Sequence, residues 1–327
     1  MMARRPNGKK RTEQEEGSRL DDAARAGWLY YIEGNTQNEI ARKLSVSRPT
    51  AQRLVSLALS ERLITFRLDH PIAACMELSR RLADRFELSH CDVVPTDPGN
   101  KTSVAGVAGS LAGFLEQRLI ATSPIIIALG TGRTLRAAVD QIRPIKVPHH
   151  QLVSLVGNIA PDGSASFFDT LTRLADLTQA RHYPIPLPLV ATTRAERDLL
   201  LSIEPVRHVY ALAERADVTV IGIGQMDMEA QAFVDGFLSK EQLLELMRAG
   251  AAGEIIGRAY DADGHALEVG TNRLLTSVPL SAADGRLVVG AAVGPAKVKA
   301  IRAALRGRLI SGLVTDEATA TALLSTH

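Results

Sequence analysis

Residues 36–59, TQNEIARKLSVSRPTAQRLVSLAL, predict two short helices joined by a tight turn. Thr36 is placed to cap the first helix, and Glu39 three residues later completes a capping box. Ser47 is placed to cap the second helix, where Pro49 is tolerated in the first turn. Apolar residues recur at helical spacing on one side of each helix, with Val46 buried in the turn. The spacing predicts a helix-turn-helix, the unit that places one helix in the major groove of DNA.

Polar side chains occupy the other side of this unit. In the second helix Arg48, Thr50, Gln52 and Arg53 stay exposed, and such side chains suit base edges and phosphates. The predicted DNA-contacting set is Thr36, Gln37, Ser47, Arg48, Thr50, Gln52 and Arg53. A helical hairpin without a DNA partner has similar spacing, so a purely structural hairpin remains the alternative at this stage.

Charge is distributed unevenly along the chain. Residues 1–70 hold 13 Lys and Arg against 9 Asp and Glu, whereas the remainder holds 25 against 27. The whole chain carries a net charge of only +2, so it is not a general binder of polyanions. The basic excess lies beside the predicted DNA helix, where phosphate contacts would use it. Residues 1–19 lack apolar periodicity, which predicts a disordered basic arm that either follows DNA or remains a solvated tail.

Length and composition set further bounds. A chain of 327 residues suggests about two domains, and 46% hydrophobic residues suffice for a large core. Cys75 and Cys91 show neither metal spacing nor a redox motif, as expected for a protein of the reducing cytoplasm. No apolar run reaches the ~18 residues of a membrane span, and no hydrophobic segment follows the basic N-terminus. We therefore expect neither a membrane partner nor a secretory signal.

A boundary falls at Asp69-His70-Pro71, after a short strand or wing predicted over residues 63–68. Apolar residues at helical spacing then predict a helix that either links two domains or helps pair subunits. The predicted organisation comprises the arm at 1–19, the helix-turn-helix domain at 20–69, the linker helix at 70–89 and a large domain at 90–327.

From residue 90 onward, short β-branched runs alternate with helical stretches. Strands are predicted at 91–94, 125–128, 152–156, 218–221, 287–290 and 309–314, and helices at 102–120, 134–142, 168–180, 239–249, 296–306 and 316–324. Continuous apolar strands of this kind belong to a parallel sheet covered on both faces. The alternation predicts an α/β fold of the doubly wound, Rossmann-like kind, in which ligands bind at the carboxyl ends of the strands.

A glycine-rich turn, Gly130-Thr131-Gly132-Arg133-Thr134, follows the strand predicted at 125–128 and opens a helix. Backbone N–H groups and a helix N-terminus meet in such a turn, which favours an anion. The turn has neither the GK[ST] ending of a Walker A loop nor the third glycine of a dinucleotide-binding loop. The alternative is a tight turn that needs glycine only for its backbone angles.

Polar side chains follow other predicted strands as well. Asn158, Asp227 and Glu254 suit sugar hydroxyls, and Lys297, which opens a helix, suits a phosphate or carboxylate. Glu254 stands directly before an apolar strand predicted at 255–260. Each residue alone is explained by a cap, a turn or a solvated surface. Their shared placement at strand ends is what predicts a single site.

Catalytic and metal-binding patterns are missing from the sequence. It contains no H-E-x-x-H, no cysteine cluster and no G-x-S-x-G elbow. The pair His149-His150 favours a loop over a metal site. We therefore predict no catalytic residue, no metal and no cofactor.

The chain resembles the SorC-type sugar-binding transcriptional regulators of bacteria from about residue 23 to residue 325. The resemblance is carried by the helix-turn-helix at 36–58, SERLI at 60–64, the loop at 129–134, GIGQMD at 222–227, GEIIGRAYDADG at 253–264 and KVKAIRAALRGRLISGLVTDEATATALL at 297–324. The block GWLYYIEGNTQNEIA and the DHP at 69–71 resemble the branch that serves polyol operons, such as sorbitol or erythritol.

This resemblance implies a C-terminal effector domain related in fold to ribose-5-phosphate isomerase and glucosamine-6-phosphate deaminase. It implies a tetramer, typically a dimer of dimers, that binds double-stranded operator DNA and a sugar, polyol or sugar-phosphate effector. Carried over by residue, the cradle for the effector comprises Gly130, Thr131, Gly132 and Thr134, with Lys297 opposite and Asp227 and Glu254 as polar contacts. The family often has aspartate where Glu254 stands, so this side chain is one methylene longer.

The predicted function is a DNA-binding regulator of a carbohydrate or polyol catabolic operon, controlled by its effector. One alternative is a sugar-phosphate isomerase or deaminase with an attached helical domain. Such isomerases share an acidic D-G-A-D-E segment, whereas the counterpart here, Gly222–Asp227, holds one acid. A helical adaptor that binds protein is the other alternative. Neither accounts for the resemblance at both ends of the chain.

Overall fold

The computed structural model describes residues 8–61, 63–64, 72–159, 163, 169–280 and 285–325, with side chains from residue 18 onward apart from Asn158. The chain divides into two compact units, an N-terminal unit over Met1–Asp69 and a C-terminal unit over His70–His327. None of the helices in the described ranges is long and apolar enough to span a membrane.

Three helices form the N-terminal unit: α1 (Gly8–Tyr31), α2 (Gln37–Lys43) and α3 (Arg48–Ser60). The predicted capping box is present, because the Glu39 N–H donates to Thr36 Oγ1 and the Thr36 N–H donates to Glu39 Oε2. Ser47 caps α3 by accepting from the Thr50 N–H at 3.3 Å. The core of the unit comprises Ala26, Leu29, Ile40, Ala41, Ala51 and Val55, with Val46 only partly buried against it.

The start of α1 corrects one prediction. Residues 8–19 are helical in the structure, so the disordered arm predicted through residue 19 is wrong over that range. The reason is local, because Lys, Arg, Gln and Glu are good helix formers, and Lys9 and Glu13, like Arg11 and Glu15, lie four residues apart with opposite charge. Residues 1–7 and most of the predicted wing at 63–68 lie outside the described residues.

The C-terminal unit is built on strands β1 to β10 and helices α4 to α13. Its strands are β1 (His90–Val94), β2 (Ile126–Leu129), β3 (Gln151–Ile159), β4 (Arg181–Pro188), β5 (Val218–Gly222), β6 (Gly224–Gln225), β7 (Gly253–Ile255), β8 (Arg258–Tyr260), β9 (Leu287–Ala291) and β10 (Gly312–Asp316). Its helices are α4 (Ala73–Phe86), α5 (Ala105–Leu119), α6 (Arg133–Val139), α7 (Thr170–Thr178), α8 (Arg194–Ser202), α9 (Glu204–Glu214), α10 (Gln231–Val234), α11 (Lys240–Arg248), α12 (Val298–Arg306) and α13 (Glu317–Ser325).

Seven parallel strands form the central sheet in the order β1-β10-β9-β5-β2-β3-β4. Alternate side chains enter two separate cores, one on each face of the sheet. Ile127, Leu129 and Val220 join the core that contains α5 and α6, whereas Val153 and Ile221 join the core that contains α9 and α12. The sheet is therefore covered by helices on both faces, as the continuous apolar strands predict.

Strand β4 and helices α8 and α9 were not among the predicted elements. The sequence of β4, RHYPIPLP, contains prolines that lack the N–H needed inside a sheet. The structure places β4 at the edge, paired only with β3, where Pro184 and Pro186 are exposed while Ile185 and Leu187 are buried. An edge position leaves one side of the strand without a ladder, so proline is tolerated there.

Helix α4 corrects the predicted role of residues 70–89 as a linker. Its buried residues Cys75 and Leu82 join the core of the C-terminal unit, and the Ser79 hydroxyl donates to the Cys91 carbonyl oxygen at 2.6 Å. The helix is thus part of the C-terminal unit, because its apolar stripe is covered by the sheet rather than left for another domain.

A small antiparallel sheet, in the order β6-β7-β8, lies after the main strand β5. It corrects the single strand predicted at 255–260, because Ile256 and Gly257 form the turn of the β7–β8 hairpin with φ of 49° and 82°. Two consecutive positive φ angles are typical of a tight hairpin turn. Glu254 consequently lies inside β7, paired with Gly224 of β6 and Ala259 of β8.

Candidate functional site

The strand order defines where a ligand site belongs. The chain runs outward through β2, β3 and β4, and then returns to place β5 on the other side of β2. The carboxyl ends of β2 and β5 therefore flank the point at which the direction of winding changes, and crevices at such points bind ligands in doubly wound folds. The glycine-rich turn follows β2, and Gly222–Asp227 follows β5.

These two turns are packed directly against each other. The Gly130 N–H donates to the Val220 carbonyl at 2.8 Å, and the Gly130 carbonyl accepts from the Thr170 hydroxyl at 2.7 Å. A Cβ at Gly130 would lie 3.3 Å from Ile221 Cγ2 and 3.3 Å from Ile256 Cγ2. Both backbone groups of Gly130 are thus already bonded, so this residue shapes the turn rather than offering an open donor.

Gly132 is different, because it begins α6 with φ of 123° and has no neighbour within 4 Å of its Cβ position. No side chain caps α6. Arg133 is exposed and Thr134 half-buried at its start. Gly132–Thr134 therefore stays the part of the turn at which an anion is predicted.

Glu254 and Lys297 are the half-buried ionisable residues of the site. Lys297 Nζ donates to the Ile223 carbonyl at 2.5 Å, and Glu254 Oε2 accepts from the Gly257 N–H at 2.8 Å. Burial lowers the pKa of Lys297, and Arg133 lowers it further, whereas Glu254 and Asp227 raise it. Burial raises the pKa of Glu254, while the Gly257 N–H and Lys297 lower it. The charges of Arg133, Asp227 and Glu254 therefore all act on Lys297, although Glu254 lies inside β7 rather than at a strand end.

Asp227 has a structural role in addition. Its Oδ1 accepts from the Glu229 N–H at 2.9 Å and so closes a turn. A role in a turn was the alternative to ligand binding in the sequence analysis. The side chain of Asn158 lies outside the described residues, although its backbone belongs to β3. The structure thus brings together Gly130–Thr134, Asp227, Glu254 and Lys297.

Sequence analysis missed residues that shape this site. A Cβ at Gly224 would lie 2.0 Å from Glu254 Oε1, so only glycine leaves room for the carboxylate in its observed position. A small, mainly apolar depression next to Glu254 is lined by Leu189, Met226, Phe237, Leu238 and Leu275. The spacing of Gly222 and Gly224 in the sequence was a usable signal for the close approach of Gly224 and Glu254. No sequence pattern predicts the depression, because its lining comes from four separate segments of the chain.

The predicted DNA-contacting residues stand at the start of α2 and in the first two turns of α3. Ser47, Arg48, Gln52 and Arg53 are exposed, as is Thr36, whereas Gln37 and Thr50 are half-buried. Thr50 Oγ1 and Ser47 Oγ are 2.8 Å apart and hydrogen-bonded, and Arg53 Nε donates to the Pro49 carbonyl at 3.3 Å. Arg48 and Gln52 are therefore exposed at the start of α3, whereas Ser47, Thr50 and Arg53 make hydrogen bonds within the helix.

His150 has a structural environment rather than a metal-binding one. It is fully buried, its Nδ1 accepts from the Ile125 N–H at 3.2 Å, and Nε2 lies 3.0 Å from the Leu119 carbonyl. These bonds require the neutral ring with its proton on Nε2. No group of three or more His, Cys, Asp or Glu able to hold a metal occurs among the described residues.

This environment makes stability depend on pH. Burial lowers the pKa of His150, so below the ordinary histidine pKa of about 6.5 the folded state binds fewer protons than the unfolded state. Stability is therefore complete above about pH 6.5 and falls as the pH decreases through that value. Burial lowers the pKa of His90 as well.

We expect the thermal midpoint of the wild type to fall from pH 7 to pH 5. This fall should be smaller in His150→Gln than in His149→Gln, which replaces an exposed histidine and serves as the control. Equal slopes in the two variants would contradict this assignment.

Taken together, these features define a doubly wound domain with a candidate ligand site at its strand ends, and a compact unit with three helices in the described residues. A family profile described as "Putative sugar-binding domain" matches residues 70–325, nearly the whole C-terminal unit. The erythritol catabolism regulatory protein EryD of Brucella abortus is 33% identical over 304 residues, which cover 92% of this chain and 96% of that protein. The transcriptional regulator LsrR of Klebsiella pneumoniae is 32% identical over 311 residues, covering 92% of both chains.

Solved structures agree in fold. The full-length sorbitol operon regulator SorC from Klebsiella pneumoniae superposes with a TM-score of 0.69 at 22% identity, covering 94% of this chain and 99% of that chain. A DeoR family transcriptional regulator from Listeria monocytogenes gives a TM-score of 0.69 at 20% identity, covering 76% of this chain and 99% of that chain. The chain therefore belongs to the sugar-binding-domain family of transcriptional regulators. It is a regulator of this family and not an enzyme, so the isomerase alternative is not favoured.

Proposed function

We propose that this regulator binds operator DNA through α3. We further propose that a sugar, polyol or sugar-phosphate bound at the carboxyl ends of β2, β5 and β9 weakens or strengthens this binding. The observation that carries the proposal is the contact of three segments at the strand ends. Lys297 Nζ donates to the Ile223 carbonyl just beyond β5, and the Cβ position of Gly222 lies 3.4 Å from the Thr131 carbonyl oxygen of the glycine-rich turn. The charges of Arg133, Asp227 and Glu254 act on Lys297 there. Two cations and two carboxylates around one crevice suit a ligand that combines hydroxyls with an anionic group.

On binding, the ligand would replace hydrogen bonds that side chains of the site now make to the protein backbone. Lys297 Nζ donates to the Ile223 carbonyl, and a phosphate or carboxylate oxygen is a stronger acceptor than a carbonyl. Glu254 is half-buried and its Oε2 accepts from the Gly257 N–H, so a ligand hydroxyl would meet a carboxyl group that the protein already holds in place. The extra methylene of Glu254 relative to aspartate would bring its oxygens further toward the crevice.

The helix-turn-helix would act as the reader of DNA. In this arrangement the start of α3 enters the major groove, where Arg48 and Gln52 reach base edges while Ser47 and Thr36 meet phosphates. Two recognition helices must be held about one DNA turn, or a multiple, apart, so a tetrameric assembly would set their spacing. An effector changes DNA affinity only through its different affinity for the two states of that assembly.

The effector class is proposed from the relatives. EryD is named for erythritol catabolism and SorC for the sorbitol operon, which favours a polyol or its phosphate here. The kinship of the C-terminal unit with sugar-phosphate isomerase and deaminase folds is part of the same proposal, since a fold of that kind holds phosphorylated sugars at strand ends.

The deciding experiment is fluorescence anisotropy on duplex DNA from upstream of the protein's own gene, at stated salt, with and without a panel of sugars, polyols and their phosphates. We expect tight binding that one ligand of the panel strengthens or weakens. Binding no tighter than to random DNA, with every ligand tested, would overturn the proposal.

Substitutions in α3 test the recognition helix itself. Arg48→Ala and Gln52→Ala should each weaken operator binding by about 10-fold or more, because a good side chain–base pair contributes roughly 1–3 kcal/mol. Thermal stabilisation by the effector should be unchanged in both. Arg25→Ala on α1, outside the predicted basic arm, removes the same charge from an exposed position and serves as the control. Normal operator binding by both α3 variants would show that another surface reads the DNA.

A further inference from the structure

Two arginine side chains of the C-terminal unit converge on one buried stretch of backbone. Arg197 of α8 donates from Nε to the Leu275 carbonyl at 3.1 Å, and Arg258 of β8 donates from Nη2 to the Ser277 carbonyl at 3.4 Å. Leu275 and Ser277 are separated by a single residue, so the two guanidinium groups are neighbours. Burial lowers the pKa of Arg258, and the charge of Arg197 lowers it further. Two like charges are therefore held near each other, each bonded to a neutral carbonyl oxygen.

The stretch that the arginines contact, residues 275–277, is held firmly. The Thr276 N–H donates to the Leu189 carbonyl at 3.0 Å, and the Val278 N–H donates to the Leu155 carbonyl at 2.9 Å. The Tyr210 hydroxyl donates to the Thr276 carbonyl. The two guanidinium groups are thus bonded to a fixed backbone, which is the support that a preformed binding site requires.

Exposed carboxylates do little to neutralise the pair. Arg197 Nη1 lies 3.4 Å from Asp198 Oδ1, but the Asp198 side chain is 69% exposed, and surface ion pairs of this kind contribute little. Glu268 raises the pKa of Arg258, yet it is exposed as well. Arg197 and Arg258 are both half-buried. An excess of positive charge in a partly buried place favours an anionic ligand.

Arg258 and Ser277 each contribute a buried polar atom that lacks a partner. Arg258 Nε and Ser277 Oγ are both buried, and neither makes a hydrogen bond to any residue that the structure describes. Ser277 is only 2% exposed. Buried polar groups are nearly always hydrogen-bonded, because leaving them unpaired costs free energy. Both atoms can donate a hydrogen bond, so both lack the same kind of partner, an acceptor.

We propose that Arg197, Arg258 and Ser277 form a binding site for a phosphate group, made of residues other than those that surround Lys297. A phosphate can accept from two guanidinium groups and a hydroxyl together, because it offers more oxygens than the two of a carboxylate. The planar fork of N–H groups on arginine also matches phosphate geometry. The inference goes beyond the proposed function, because the site requires neither DNA nor a ligand at Lys297.

A phosphate in this position would also act on the candidate effector site. Leu275 and Gly257 both line the apolar depression beside Glu254. Leu275 accepts from Arg197, and Gly257 directly precedes Arg258. A phosphate held by both arginines would therefore hold two walls of that depression together. The phosphate is either free inorganic phosphate or the phosphate group of a sugar phosphate, and the chemistry of recognition is the same for both.

Isothermal titration of the full-length chain with inorganic phosphate, replacing chloride at constant ionic strength, measures the site. The titration is made in the wild type and in Lys297→Met, which removes the ammonium of the candidate effector site. We expect Lys297→Met to bind one phosphate per chain. In that background Arg197→Gln and Arg258→Gln should each weaken phosphate binding about 10-fold or more, because each removes a charge-assisted hydrogen bond. Arg207→Gln, at an exposed position on α9, is the matched control and should stay within about 2-fold.

Ser277→Ala keeps the proposal testable if the arginine variants fail to fold. It removes a buried hydroxyl that has no partner among the described residues, so the thermal midpoint should not fall. Phosphate should nevertheless bind about 5-fold more weakly, because one donor to it is lost. A Lys297→Met protein that binds no phosphate, or a Ser277→Ala variant that binds it as tightly as its parent, would overturn the site. Equal binding by all variants would reveal an adventitious ion only and would overturn it too.

A titration with the effector in phosphate-free buffer distinguishes the two sources of the phosphate. If the site holds the phosphate of a sugar phosphate, Arg197→Gln should bind that effector about 10-fold more weakly than the wild type. If it holds free inorganic phosphate, effector affinity should stay within about 2-fold. Either result supports the site and names its ligand. Operator anisotropy of Ser277→Ala without ligand tests DNA binding separately, so failure of the phosphate site and failure of the proposed function are distinguishable.

Discussion

Replacing Lys297 by methionine is expected to weaken effector binding by about 10- to 150-fold, because a hydrogen bond to a charged group contributes roughly 1.5–3 kcal/mol. Methionine keeps much of the length of the side chain but removes the ammonium that now donates to the Ile223 carbonyl. It also leaves Glu254 without the nearby cation that lowers its pKa, so the Glu254 carboxyl should become harder to ionise.

Isothermal titration with the effector identified in the anisotropy panel measures this loss. Lys299→Met, two residues further along and exposed, is the matched control and should leave affinity within about 2-fold, since surface charges contribute little. Operator affinity without effector should be retained in both variants. If Lys297→Met responds to effector as the wild type does, the crevice at the ends of β2, β5 and β9 is not the effector site.

Gly264→Ala is expected to cause a large loss of stability for the addition of a single methyl group. A Cβ at residue 264 would lie 2.5 Å from Gly307 Cα and 2.7 Å from the Ala303 carbonyl oxygen, both backbone atoms that cannot rotate away. The residue also has φ of 86°, where an L side chain is strained. Overpacking and backbone strain each cost roughly 1–3 kcal/mol, so the thermal midpoint should fall by about 5–20 °C.

Gly236→Ala separates the two causes. Gly236 has nearly the same φ, 78°, but nothing lies within 4 Å of its Cβ position. Its substitution should therefore show the strain alone, roughly 1 kcal/mol and a few degrees. Thermal and urea unfolding of both variants measure the difference. A Gly264→Ala protein as stable as Gly236→Ala would mean that the close approach of residues 264 and 307 is not maintained in solution.

Local signals in the sequence accounted for much of the fold. The capping box at Thr36 and Glu39 depends on residues three apart, and such bonds form wherever the helix begins. The strands at 126–129 and 218–222 were evident because their runs are largely apolar and both of their faces are buried, whereas the edge strand β1 is half-buried apart from Val93. In contrast, β4 was hidden by its prolines, and α8 by a pattern without a buried face.

Some residues of the candidate site were likewise predicted from local sequence signals, and others were found only in the structure. Glycine-rich turns and isolated polar residues after apolar strands pointed to Gly130–Thr134, Asp227, Glu254 and Lys297 from the sequence alone. Gly224, Thr170 and the Ile256–Gly257 turn were not anticipated, because each acts on a residue distant in the chain or in the sheet. The role of all these residues in binding an effector, Asn158 included, stays a prediction.

The sequence by itself therefore determined the helices, most strands, their parallel arrangement and the end of the sheet at which a ligand is expected, because these follow from short-range periodicity and capping. Tertiary structure alone decided which strand ends meet, since only the order β9-β5-β2 brings Lys297 and Glu254 beside the glycine-rich turn. It also decided that α4 belongs to the C-terminal unit and that α8 faces outward. Burial depends on long-range packing, and no local pattern specifies which of several apolar faces the sheet will cover.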